Sequence, residues 1–246
     1  MSQPAKLGIV RSNNATLLLL FAVGNNIGMR REPMPLQFKF DDDFRARFRE
    51  LISCRRDVRA FLSSTLPNGL LEDLIRLSCL APSVGLSEPW RFVQVSSRDT
   101  RDAIREEFGR ANSEALGGYS GEQAALYARL KLAGLDQAPV HLAVFADRGT
   151  SKGSGLGRRT MPEMVEYSVV AAITTLWLAA RAHGVGVGWI SIIDPVRVST
   201  ILAAEEGWHL VAYLCIGYPE EESLIPELER AGWEKRVPAD LRLFQR

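Results

Sequence analysis

Cys54-Arg55-Arg56-Asp57-Val58-Arg59 sets three guanidiniums and a carboxylate side by side, between an amphipathic run ending near Ile52 and the apolar pair Phe61-Leu62. A guanidinium is a planar fork that stays charged at any working pH and matches phosphate bidentately. An anionic ligand is therefore one reading of the stretch. A solvated basic turn with an internal Asp–Arg pair is the other, and the flanking sequence has to decide between them.

The chain has 246 residues, 46% of them hydrophobic, and a formal net charge of +1. That composition builds a sizeable globular core and offers no broad basic face, which argues against nucleic acid or a membrane as a partner and for a small ligand. Cys54, Cys79 and Cys215 form no C-x-x-C pair, and His141, His183 and His209 fall in no metal-ligand spacing. The expectation is a reducing, cytoplasmic compartment, no metal, and histidines that are ordinary core or surface residues.

Residues 1–36 differ from the rest: Ser, Asn, Gly and Pro surround one apolar run from Ala15 to Val23. That run is shorter than the about 20 residues a membrane span needs, and the following Gly24-Asn25-Asn26-Ile27-Gly28 supplies no small-x-small cleavage site. Residues 1–36 are expected to be a poorly ordered extension, with Met34 as an alternative start, and residues 37–246 a single domain.

From Asp41 onward Phe44, Phe48, Leu51 and Ile52 recur with helical spacing, behind three aspartates that favour a helix N-terminus. This helix delivers the Arg cluster at its C-terminal end. A second helix, capped by Asn68, is expected to turn Leu70, Leu71, Leu74 and Leu77 inward. The segment Ala81-Pro82-Ser83-Val84-Gly85-Leu86-Ser87-Glu88-Pro89-Trp90 then makes a shaped loop. Strand Trp90–Val95 and surface helix Arg98–Leu116 follow, the helix packing Ile104 and Phe108. Gly117-Gly118-Tyr119-Ser120-Gly121 interrupts the helical pattern before an amphipathic piece from Glu122 to Leu135, an arrangement suited to a lid.

Pro139–Ala146 reads as an apolar strand, and Val165–Ala182 as a helix apolar almost all round. Such a helix is buried, either in the core or at a subunit interface. Gly184-Val185-Gly186-Val187-Gly188-Trp189-Ile190-Ser191-Ile192 reads as a strand whose glycines allow close approach by a ligand or another chain. It lacks the G-x-G-x-x-G spacing of a dinucleotide site. Alternation puts Trp189, Ser191 and Ile193 on one face, and a Ser on a buried strand is either bonded locally or turned toward a ligand. His209–Gly217 gives a further buried strand. The tail beyond Pro226 carries Trp233 and Arg236 without clear periodicity.

Together these motifs resemble the FMN-dependent nitroreductase superfamily. Within it, Arg55-Arg56-Asp57-Val58-Arg59, Ala81-Pro82-Ser83-Val84-Gly85, Leu156-Gly157-Arg158, the run from Leu176 to Ala182, the Gly184–Ile192 strand and Pro226-Glu227-Leu228 resemble the BluB group of 5,6-dimethylbenzimidazole synthases. The discriminating position is Asp57, where ordinary nitroreductases usually carry Ser. The resemblance spans roughly residues 41–246. It implies an α+β fold with a central mixed or antiparallel sheet flanked by helices, in a domain-swapped homodimer that holds two FMN molecules.

By the same resemblance Arg55, Arg56 and Arg59 hold the ribityl phosphate, within a binding segment that also includes Asp57 and Val58. Pro82, Ser83, Gly188, Trp189 and Ser191 contact the flavin, and Asp57 and Ser191 are the catalytic pair. A positioned carboxylate serves as general base or holds the ribityl hydroxyls, and a neutral hydroxyl orients or shuttles the proton. The implied reaction is fragmentation of reduced FMN by O2 to 5,6-dimethylbenzimidazole, the lower ligand of vitamin B12. NAD(P)H enters only indirectly, through a separate flavin reductase.

Departures from the group's pattern fall at Cys79, Ser87, Glu88, Gly118, Ala133, Thr174 and Thr175, around the expected flavin and the lid over Gly117–Gly134. The competing function is an NAD(P)H-dependent flavin, nitro or cob(II)yrinic acid a,c-diamide reductase that retains FMN. A third is a non-catalytic flavin-binding protein.

Overall fold

Two apolar runs, Val140–Asp147 and Trp208–Gly217, form the central pair of the sheet: Val140–Ala146 and Ala212–Gly217 are buried whichever face the side chain points to. The computed structural model describes residues 39–130, 134–237 and 242–246. The extension expected over residues 1–36, with its apolar run and Met34, lies outside the described residues, as does Ala133.

Helix α1 is Asp42–Cys54, α2 Leu70–Ser78, strand β1 Trp90–Gln94, α3 Arg98–Leu116, α4 Gly121–Arg129, β2 Val140–Asp147, α5 Met164–Ala182, β3 Gly186–Ile190, α6 Pro195–Ile201, β4 Trp208–Gly217 and α7 Glu227–Arg230. The sheet runs β1-β2-β4-β3 with every neighbour antiparallel. A bulge between Val144 and Phe145 shifts the β2–β4 register.

Alternation splits the core in two. Leu142, Val144, Ala212, Leu214 and Ile216 point to α2 and α5, whereas Ala143, Phe145, Tyr213 and Cys215 point to the face that packs Ile104 of α3 and Val198 of α6. Helix α5 presents Val165, Val169, Ala172, Ile173, Leu176 and Ala180 to the sheet. Its four larger apolar side chains contribute about 1.5–3 kcal/mol each by burial, before chain entropy is counted. The opposite face leaves Tyr167 and Val170 exposed, so the near-continuous apolar pattern of α5 exceeds what one chain buries.

Several expectations need correction. Asn68 is not the cap of α2: Gly69 takes that place with φ +83°, a conformation a glycine adopts without steric cost. Leu77 points outward. Helix α4 ends at Arg129, short of Leu135, which joins the core. Strand β3 ends at Ile190, so the alternation expected to carry Ser191 and Ile193 stops before them. Helix α6 went unforeseen, although Asp194 caps it by accepting the N–H groups of Val196 and Arg197, and Pro195 opens it.

Candidate functional site

Helix α1 ends at Cys54 because the next residues join a sheet. Arg55 is extended, the Val58 N–H donates to the Val187 carbonyl at 3.1 Å, and Asp57 bridges Val187 in parallel. Three residues further on, the chain turns to the exit of β4. Leu62 N–H donates to the Tyr218 carbonyl, and the Ala60 carbonyl accepts from Glu220 N–H. Residues 57–62 are thus laid along the open edge of β3 and clamped by residues 218–220, which sets aside the solvated-turn reading.

The glycines of β3 make this possible. A Cβ on Gly188 would stand 2.1 Å from the Val58 carbonyl oxygen, and one on Gly186 would stand 2.6 Å from the Val58 side chain. Within one chain, what approaches the strand closely is its own Arg-Arg-Asp-Val-Arg segment, through Val58. Gly188 is buried beneath it.

The three arginines are not equivalent. Arg55 stacks its guanidinium 4.9 Å from the centroid of the Trp177 ring, and that guanidinium makes no hydrogen bond among the described residues. Arg56 donates from Nη1 to the Arg55 carbonyl and from Nη2 to the Leu224 carbonyl, leaving Nε buried and unpartnered among the described residues. Burial, and then the charges of Arg236, Arg55 and Arg181, push the Arg56 pKa below its usual value, opposed by Cys54. Arg59 is ion-paired with Asp57: its Nε and Nη2 donate to Asp57 Oδ2 at 3.0 and 2.9 Å. The other oxygen, Oδ1, accepts the Trp189 N–H at 2.9 Å, so Asp57 ties the segment to β3 as well as to Arg59.

Two small cavities flank the segment. One of about 130 Å³ lies among Arg55, Arg56, Trp177, Arg181, Gly186 and Glu222. The other, of about 100 Å³, lies among Arg56, Asp57, Arg59, Glu221, Glu227 and Arg230. Ligand pockets that enclose a drug-sized molecule run to about 300–1,000 Å³. Each of these two cavities is therefore the size of a phosphate-like group and smaller than a whole drug-sized ligand.

Sequence reasoning missed Trp177 and Arg181, one turn apart on α5. Trp177 supports Arg55 and donates from Nε1 to the Arg56 carbonyl at 3.1 Å. Arg181 bonds Glu222 at 2.6 Å, and this bond raises its pKa. A Trp and a cation at i, i+4 on an otherwise apolar helix were the available signal.

Other expected residues stand apart from both cavities. Pro82 is exposed, and Ser83 accepts the Glu88 N–H at 3.1 Å within its own loop, which is fastened to α5 by the Val84 N–H bond to Ser168 Oγ. Ser191, expected on a buried strand, is exposed one residue past β3. Of the departing positions, Thr174 and Thr175 donate to carbonyls one turn back in α5, and Glu88 pairs with Lys152.

Residues 52–218 match the family model described as the nitroreductase family. A curated relative, the 5,6-dimethylbenzimidazole synthase of Rhodospirillum rubrum, is 51% identical over 199 residues, covering 81% of this chain and 94% of that protein. Among solved structures, an iodotyrosine deiodinase bound to FMN and 3-iodo-L-tyrosine superposes with a TM-score of 0.62 at 21% identity, covering 80% of this chain and 99% of the other. A BluB-like flavoprotein from Clostridium difficile 630 superposes with a TM-score of 0.60 at 20% identity, covering 81% and 99%.

Proposed function

This chain belongs to the nitroreductase family, and from that premise we propose that it fragments reduced FMN with O2 to give 5,6-dimethylbenzimidazole. The observation that carries the flavin reading is the guanidinium crowd around Arg56, with its buried, unpartnered Nε. A phosphate there relieves the repulsion and accepts the orphaned donor, so the residues present fit FMN. Asp57 and the similarity to the R. rubrum enzyme favour a synthase over a reductase. Reduced FMN, when bound, supplies both the electrons for O2 and the ring that is broken down.

In this reading Arg55 and Arg56 Nε bind the phosphate, within the segment that includes Val58, while Arg59 and the Trp189 N–H orient Asp57. Asp57 accepts a proton or holds the ribityl hydroxyls, and Ser191, exposed beyond β3, orients or passes that proton. Gly134 packs against Phe61 near the Arg59 carbonyl, which places the end of the expected lid beside the site. Residues 117–130, the described part of that lid before 131–133, exclude water.

Pro82 and Ser83, absent from both cavities, reach the flavin across a homodimer interface. That arrangement also accounts for cavities too small for the whole ligand. A separate NAD(P)H-dependent flavin reductase supplies reduced FMN, in the cytoplasm. Among the described residues no helix is long and apolar enough to cross a membrane.

One observation favours the alternative, an NAD(P)H-dependent flavin, nitro or corrinoid reductase that keeps its FMN: both oxygens of Asp57 are engaged, as in a purely structural role. A single experiment separates the two. The purified protein is incubated with FMN, NADH and air, with and without an added flavin reductase, and 5,6-dimethylbenzimidazole is sought by mass spectrometry. Benzimidazole formed only when the reductase is added supports the synthase. NADH consumption without the reductase, and no benzimidazole in either case, overturns it.

A further inference from the structure

Beyond α7 the C-terminal segment hooks back, the Trp233 N–H donating to the Leu228 carbonyl at 2.8 Å. The Trp233 ring then meets two tyrosines of the 117–130 arm. It lies edge-on to Tyr119 with centroids 5.5 Å apart and tilted against Tyr127 at 6.2 Å, and the two tyrosines stack on each other at 4.9 Å. Tyr127 is 6% exposed and donates its hydroxyl to Asn112 Oδ1 of α3 at 2.8 Å, so the arm's end of this cluster is anchored.

The same C-terminal segment lines the second of the two cavities, which shares Arg56 with the first. Glu227 and Arg230 line the cavity that contains Arg56, Asp57 and Arg59, and Arg230 pairs with Glu221 at 3.5 Å. The charge of Arg236 bears directly on Arg56. One aromatic side chain therefore joins the rim of the phosphate site to the arm, and Gly118 next to Tyr119 contributes no side chain of its own to that contact.

We propose that Trp233 is a positioning residue that couples seating of the 117–130 arm to occupation of the phosphate site at Arg55 and Arg56. The inference rests on the reading that Arg55 and Arg56 receive the phosphate of FMN. An anion held by Arg56 draws in the neighbouring cations and fixes residues 227–236. Trp233, fixed with them, gives Tyr119 and Tyr127 an ordered surface to pack on. A ligand without the phosphate leaves the segment, and hence the arm, unfixed. The device makes water exclusion follow the arrival of the phosphorylated ligand and not of any flavin.

Hydrogen exchange measured by mass spectrometry on the full chain tests this, with oxidised FMN or riboflavin as the probe. In the wild type, FMN is expected to slow exchange at 55–59, 227–236 and 117–130, and riboflavin to slow the arm far less. In Trp233→Leu, FMN still protects 55–59, but the arm exchanges roughly three- to tenfold faster than in the FMN-bound wild type, the size expected for lost aromatic pairs. Trp233→Phe restores the ligand-dependent protection, and Tyr119→Leu, which cuts the contact from the other side, reproduces its loss. A side chain that merely fills space would loosen the arm equally with and without FMN. Arm protection by FMN that is unchanged in Trp233→Leu and Tyr119→Leu overturns the coupling. Absence of FMN protection at 55–59 in the wild type fails the phosphate reading instead, and the coupling with it.

Discussion

Arg55 and Asp57 divide the work of the site differently from what their shared motif suggests. The Arg55 guanidinium, stacked on Trp177, makes no side-chain hydrogen bond among the described residues, whereas Arg59 is paired with Asp57. Arg55→Ala is accordingly expected to weaken FMN binding about ten- to a hundredfold, the loss of a charge-assisted hydrogen bond worth about 1.5–3 kcal/mol, and to leave riboflavin binding nearly unchanged. Titrating both flavins against both proteins checks this, and equal weakening removes the phosphate assignment. Asp57→Asn retains an oxygen for the Trp189 N–H while discarding the basic carboxylate. If Asp57 handles the proton, the variant binds reduced FMN and consumes O2 but forms almost no 5,6-dimethylbenzimidazole. If it only braces Arg59 and β3, binding falls while the bound fraction turns over normally. Comparing product per bound flavin separates these outcomes.

At the scale of elements, the site exists because an edge segment lies against a strand with no side chains in the way. Gly188→Ala would force a Cβ to 2.1 Å from the Val58 carbonyl oxygen, a backbone atom that moves only if residues 57–58 leave β3. Overpacking of this kind costs about 1–3 kcal/mol or more. The expected result is a lower urea midpoint together with weaker FMN binding, since Arg59 and Asp57 shift with Val58. Unchanged stability and affinity in the same pair of measurements would show that the segment is not held as described.

For the whole molecule, the informative feature is what one chain leaves uncovered. Phe40, Phe44, Phe48 and Ile52 are 43–55% exposed along α1, and α1 buries no side chain at all among the described residues. Phe40 and Phe44 stack on each other at 4.5 Å, extending the stripe. An exposed apolar stripe of this length marks an interface, and the homodimer proposed above would cover it. Phe48→Asp is expected to dissociate that dimer at least tenfold more readily, by about 1.4 kcal/mol or more, because a charge would be buried at the contact. Analytical ultracentrifugation reads this directly. If Phe48 faces only water, the substitution leaves the sedimenting species unchanged. FMN affinity should fall in parallel if Pro82 and Ser83 act from the partner, as proposed.

Local rules acting within a few residues were legible in the chain itself. The boundaries of α3, the apolar strands β2 and β4 and the helical spacing of α1 follow from periodicity, which depends only on neighbouring side chains. The positive charge of Arg55, Arg56 and Arg59 was legible too, because guanidiniums keep it in any fold. Tertiary structure decided everything that depends on distance across the chain. It showed that the glycines of β3 accommodate Val58, that Asp57 is shared between Arg59 and the Trp189 N–H, and that Trp177, Arg181 and the 218–224 turn complete the cavities. The strand position expected for Ser191 was corrected for the same reason: a strand ends where its partner's pairing ends, and β4 pairs with β3 no further than Ile190. Periodicity identifies which faces are apolar, and only packing determines what each face meets.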